Sequence, residues 1–227
     1  MAGMFPVDVG PQYEGEVIRK GDMHVEFGGP TIKAKFELVT LKKPEEVENE
    51  KISVIGPEIA DMKEGGSYPI AMMIDVAGAR LEKDMEPVLE RRIHLYANYI
   101  EGLYHMNQRN DIWIRLSKDS FAKGLNSLEA IGKILMFLYT SELDVIEKMS
   151  ITFVTDDKKV EELLPKAIEV YNARDERARG LKENDVEEFY SCSLCQSFAP
   201  THVCIATPER IGNCGAISWF DGRAAFK

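Results

Sequence analysis

Four cysteines, Cys192, Cys195, Cys204 and Cys214, are the residues of this 227-residue chain best suited to chemistry, and it has no others. Their spacing is C-x2-C-x8-C-x9-C. Disulfides that staple a fold usually join distant segments of small secreted domains, so confinement to one short stretch favours a metal site. Four soft thiolates are what iron-sulfur chemistry needs, one per iron at the corners of a cubane. Zinc also accepts four thiolates, but structural zinc usually sits between two close C-x2-4-C knuckles, and here only the first pair is close. The spacing therefore favours a 4Fe-4S cubane. A zinc-stapled interaction module and a stand-alone 4Fe-4S electron-transfer or assembly protein remain as alternatives, although the pattern departs from the tandem ferredoxin run C-x2-C-x2-C-x3-C-P. Pro200, Pro208, Gly212 and Gly215 supply the stiff and bendable points that two longer ligand loops require. With four thiolates present, His202 is expected beside a ligand or on the surface and not as a ligand itself.

The elements that must position these cysteines lie upstream. Residues 1–30 are rich in Gly and Pro and imply an irregular segment. Residues 36–41, 51–55 and 69–76 are short, apolar or β-branched runs, as strands are. From Asp84, a plausible cap, apolar residues recur at three- and four-residue steps as far as Tyr104, predicting one long helix. Residues 111–117 then alternate Ile112, Ile114 and Leu116 against Trp113 and Arg115, which is a strand. A second helix is expected after a Ser127 cap, a strand at 150–155, and a third helix around Val160 to Tyr171 that Pro165 should kink or shift. Residues 172–184 are charged and suggest a hinge or an exposed helix end, and 185–190 a helical turn with Glu188 at the capping-box position. The resulting expectation is an α/β domain over 31–184, with a mixed or mostly parallel sheet and flanking helices. A small irregular cysteine-rich cluster-binding segment follows over 185–227.

A formal charge of −10 and dispersed basic residues argue against nucleic-acid and anionic-membrane partners. There is neither a signal-like start nor an apolar run long enough to cross a bilayer, so a cytoplasmic setting is expected. No G-x-S-x-G elbow, Walker loop or Rossmann glycine triplet supports hydrolase, nucleoside-triphosphate or nicotinamide chemistry. His24, His94 and His105 stand among unrelated elements and receive no role.

The stretch Tyr190-Ser-Cys-Ser-Leu-Cys-Gln-Ser-Phe-Ala-Pro-Thr-His-Val-Cys, followed by Thr207-Pro-Glu-Arg-Ile-Gly-Asn-Cys-Gly-Ala and Trp219-Phe-Asp-Gly, resembles the family of catalytic subunits of carbon monoxide dehydrogenase/acetyl-CoA synthase. The resemblance extends through Gln108-Arg-Asn-Asp-Ile-Trp-Ile-Arg-Leu-Ser-Lys and Asn172-Ala-Arg-Asp-Glu-Arg. The start, Phe5-Pro-Val-Asp-Val-Gly-Pro, resembles the archaeal-type β subunit, which lacks the bacterial N-terminal domain.

The resemblance implies that Cys192, Cys195, Cys204 and Cys214 hold a 4Fe-4S cluster and that Cys195 also bridges to a proximal nickel. It implies an acyltransferase reaction that joins a corrinoid-borne methyl group, carbon monoxide and coenzyme A into acetyl-CoA, or the reverse cleavage. Partners so implied are a corrinoid iron-sulfur protein and a carbon monoxide dehydrogenase subunit. Phe198 corresponds to a phenylalanine beside the carbon monoxide pocket. Trp113, Arg109 and Arg115 fall where the family associates a tryptophan and arginines with coenzyme A. The family completes its nickel site with a downstream Cys-Gly-Cys segment that these residues do not contain, so the chain alone is expected to be inactive.

Overall fold

The computed structural model describes residues 3–227. Its strands are β1 (Met23–Gly28), β2 (Lys35–Leu41), β3 (Lys51–Ile55), β4 (Gly66–Tyr68), β5 (Ile70–Ala77), β6 (Leu103–Met106), β7 (Trp113–Ser117), β8 (Lys148–Val154), β9 (Tyr190–Cys192) and β10 (Cys204–Ala206). The helices are α1 (Glu86–Ala97), α2 (Lys118–Ala122), α3 (Leu128–Glu142), α4 (Asp157–Gly180) and α5 (Trp219–Phe226). One four-stranded sheet has the order β2-β5-β8-β3, with β2–β5 and β3–β8 parallel and β5–β8 antiparallel. A second has the order β4-β1-β7-β6, parallel only between β1 and β4. The expected mixed α/β architecture is what the chain adopts.

Apolar runs in β5 and β8 are explained by burial on both faces. Phe36, Ala71 and Val154 pack under Val160, Ala167 and Tyr171 of α4. On the opposite face Ile74, Ile151 and Phe153 join the main core with Ile93 of α1 and Leu135 of α3. Gly132 lets α3 lie close, since a Cβ there would stand 3.0 Å from Ile52 and Phe153. As expected, Ser127 caps α3, its Oγ accepting from Ala130 N at 3.1 Å. Pro165 neither shifts the start of α4 nor ends it: the helix is capped by Asp156 and runs through that residue.

Several expectations are corrected. The segment 1–30 is not irregular throughout, because β1 is a strand with all six residues buried; its Glu26 is satisfied internally by Ser67, Trp113 and Arg115, which makes a polar strand position tolerable in the interior. The first long helix ends at Ala97 instead of continuing to Tyr104. Asn98 turns its side chain onto the His105 backbone, accepting from His105 N at 2.8 Å and donating to His105 O at 3.1 Å, so 103–106 becomes β6. Asp84 caps nothing; a 3-10 turn over Lys83–Met85 precedes α1, and Asp84 instead accepts from Arg177 at 2.6 and 2.7 Å. Of the two readings of residues 172–180 the exposed helix end holds and the hinge does not: they close α4, and Arg174 and Asp175 tie this end to Glu86, Glu90 and Arg109. The short turn beyond them spans Glu183–Asp185, where Asp185 and not Glu188 reaches back to accept from the Lys182 backbone N–H at 2.9 Å, and Tyr190 opens β9.

Candidate metal centre

The cysteine segment is built on a hairpin. Cys192 ends β9 and Cys204 begins β10, and the two are direct partners across the antiparallel pair. Cys195 sits in the 3-10 turn Leu194–Ser197, where its carbonyl accepts from Phe198 N at 3.1 Å and Ala199 N at 2.8 Å. Cys214 occupies a tight turn closed by Gly212 N to Ile217 O at 2.7 Å, in which Gly215 adopts φ +76°. Backbone N–H groups of Ala216 and Ile217 hold the exposed Cys214 thiol below the usual thiol range. All four cysteines are free thiols. Among the described residues no three His, Cys, Asp or Glu side chains are already gathered as a metal-binding group. In chemistry the donors nevertheless fit a soft metal or iron-sulfur cluster: four thiols on one hairpin and its adjoining turn, with the Cys192 and Cys204 side chains on one face.

His202 Nε2 lies 3.2 Å from Cys204 Sγ. Phe198, three residues beyond Cys195, is 79 % exposed, and Leu194, Val203, Ile205 and Ile211 are exposed with it. The segment thus carries several exposed apolar side chains close in sequence to its cysteines.

Aromatic packing and ion pairs fix this hairpin to the α/β body. Tyr190 packs on Trp219 and Phe226 with ring centroids 5.8 and 6.0 Å away, and Trp219 Nε1 donates to Glu188 O at 2.8 Å. A Cβ on Gly222 would stand 2.5 Å from Tyr190 Cβ, so only glycine lets α5 lie on β9. Ser218 and Asp221 form a capping box at the start of α5. Asp221 also accepts from Arg91 of α1, and Arg223 donates to Glu82 at 2.6 and 2.8 Å.

The other sequence-predicted residues separate into two places. Trp113 and Arg115 come together: the guanidinium stacks 4.5 Å from the indole centroid, and both donate to Glu26, at 2.9 and 3.0 Å. Burial would raise the Glu26 carboxyl, but bonds from Ser67, Trp113 and Arg115 outweigh it and hold the group low. Arg109 turns instead to α4, donating to both oxygens of Asp175 at 2.9 and 3.0 Å and lying over the Tyr171 ring. It adopts φ +57°, a strained backbone held by these contacts. Sequence reasoning missed Glu26 as the organiser of the tryptophan site, and missed a buried cluster of Glu37, His94, Asn98 and His105. A polar residue within each apolar strand run, Glu26 and Glu37, was the available signal.

The family model described as CO dehydrogenase/acetyl-CoA synthase complex beta subunit matches residues 5–160, and the C-terminal model of the ACS/CODH beta subunit matches residues 171–227, which hold every cysteine. The chain belongs to this β-subunit family. Among curated relatives, acetyl-CoA decarbonylase/synthase complex subunit beta of Archaeoglobus fulgidus is 54 % identical over 224 residues, 98 % of this chain and 43 % of the relative. The protein of that name from Methanopyrus kandleri is 53 % identical over 223 residues, 98 % of this chain and 47 % of its own length. A subunit beta 2 from Methanosarcina thermophila is 49 % identical, with coverage of 98 % and 47 %. The chain therefore spans a little under half the length of these family members. No helix among the described residues is long and apolar enough to cross a membrane.

Proposed function

We propose that this chain is the cluster-bearing part of a CO-methylating acetyl-CoA synthase, an acyltransferase acting within a multi-subunit complex in the cytoplasm. The observation that carries the reading is the set of four free thiols on one hairpin and turn, within residues that match the C-terminal family model. Cys192, Cys195, Cys204 and Cys214 would hold a 4Fe-4S cluster, with Cys195 also reaching nickel whose other ligands come from outside these residues. When bound, such a centre supplies soft metal that can take carbon monoxide and a methyl group side by side.

The chain's own residues contribute position and exclusion. The Phe198 ring stands exposed beyond Cys195 and would wall a small apolar pocket against water once covered. The exposed apolar side chains of the segment suit a protein that delivers the methyl group, and the proposed partners are a corrinoid iron-sulfur protein and a carbon monoxide dehydrogenase subunit. Coenzyme A is assigned to the stacked Trp113 and Arg115. Arg109 is engaged by Asp175 and Tyr171 instead, and is left out of this assignment.

Metal analysis of the anaerobically purified chain tests the reading. Iron at about four per chain with broad charge-transfer absorption is expected. Stoichiometric zinc without visible absorption would overturn it in favour of a zinc-stapled module. Cys195→Ser in the complete complex should abolish acetyl-CoA synthesis, and retained synthesis would refute the bridging role.

A further inference from the structure

Cys192 and Cys204 face each other directly across β9 and β10. Opposed residues of an antiparallel pair have Cα atoms about 4.5 to 5.5 Å apart and side chains on one face. That separation lies within the roughly 4.4 to 6.8 Å that a disulfide spans. Both thiols are free and half-buried, so small reagents can reach them while the strands hold them together. Cys195 lies in the 3-10 turn past the end of β9, outside the paired register. By spacing alone the C-x2-C pair would be taken as the redox couple; the strand register selects a different one.

We propose that Cys192 and Cys204 form a reversible disulfide in the metal-free chain, which closes the cysteine site to metal until it is reduced. The oxidant is a low-molecular-weight disulfide of the glutathione class. One cysteine thiolate attacks it, forming a mixed disulfide and releasing one small thiolate; the facing thiolate then attacks the protein sulfur, forming the Cys192 to Cys204 bond and releasing the second. The two thiol protons pass to solvent, and the electron pair leaves with the reduced reagent. A dithiol runs the sequence backwards. The bond ties the loop between the two strands and removes two of the four thiolates, so a cluster cannot assemble. Pairing depends on the hairpin alone, and the closing of the site rests on the ligand role proposed above.

The test uses the full chain, made metal-free and held without oxygen. It is treated with oxidised glutathione, the remaining thiols are alkylated, and peptides are mapped by mass spectrometry, with circular dichroism confirming that the chain stays folded. Cys192 linked to Cys204 is expected in the unaltered chain, in Cys195→Ser and in Cys214→Ser, and the internal bond should be lost in Cys204→Ser. A dominant Cys192 to Cys195 bond, or none in the folded chain, overturns the pairing. Iron uptake from added iron and sulfide is then followed by absorption. It should be lost after oxidation and return with dithiothreitol; uptake unaffected by the disulfide overturns the gate. A reduced chain that takes up no iron refutes the metal reading, whereas the peptide map still decides the pairing.

Discussion

His105 Nε2 lies 2.6 Å from Glu37 Oε2, and neither side chain reaches solvent. Asn98 sets the proton positions around this pair. Because His105 N donates to Asn98 Oδ1 at 2.8 Å, the Asn98 amide nitrogen faces His105 O and, at 3.4 Å, His94 Nε2. His94 Nε2 therefore accepts, its Nδ1–H donates to His105 Nδ1 at 3.1 Å, and His105 Nε2–H donates to Glu37. Replacing His105 with Leu leaves the Glu37 carboxyl oxygen buried without its donor, and a loss of about 1 to 3 kcal/mol is expected. Urea denaturation measures it, and a loss below about 1 kcal/mol would contradict the sealed pair.

Burial, reinforced by His105, holds His94 below the ordinary imidazole range, against opposing pulls from Glu37 and Glu14. An unfolded chain protonates this residue near about pH 6.5, and the folded chain only at lower pH. In that window the unfolded state binds more protons, so stability falls as pH drops from about 6.5 and levels below the folded value. His94→Gln should flatten this slope. Denaturation midpoints at about pH 7.5 and 5.5 that move equally in both proteins would show that His94 does not set it.

Gly29 adopts φ +76°, and a Cβ there would stand 2.8 Å from the Trp113 ring. Gly29→Ala should push the indole off Glu26, at a cost of about 1 to 3 kcal/mol for the bond lost and the buried oxygen left behind. A shifted tryptophan emission checks it. Weaker retention on immobilised coenzyme A is expected alongside, since Trp113 is the residue proposed to meet that ligand.

Arg223 holds the Glu82 carboxyl below its usual range through two hydrogen bonds from α5 to the turn before α1. Both partners are partly exposed, so Glu82→Gln should cost under about 1 kcal/mol globally. Locally it should raise backbone hydrogen exchange in α5 and loosen the hairpin that α5 supports. The difference from the unaltered chain should shrink in high salt, and an exchange pattern unchanged at low salt would show that the aromatic packing alone docks the helix.

Much of this protein was determined by local sequence. Short apolar or β-branched runs marked β2, β3, β5 and β8, alternation marked β7, and the Ser127 cap placed the start of α3, because these depend on neighbours a few residues apart. The cysteine spacing and its flanking residues marked the cysteine segment and its family for the same reason. Tertiary structure decided the rest. β1 hid between glycines because its Glu26 finds partners 41, 87 and 89 residues away. The apolar period of α1 ran on past Ala97 in sequence, yet Asn98 ended the helix by bonding to His105. Which cysteines face each other, and which arginine stacks on Trp113 while another turns to Asp175, follow from strand register and helix docking. Those depend on burying surfaces from distant segments together, and no local window contains that information.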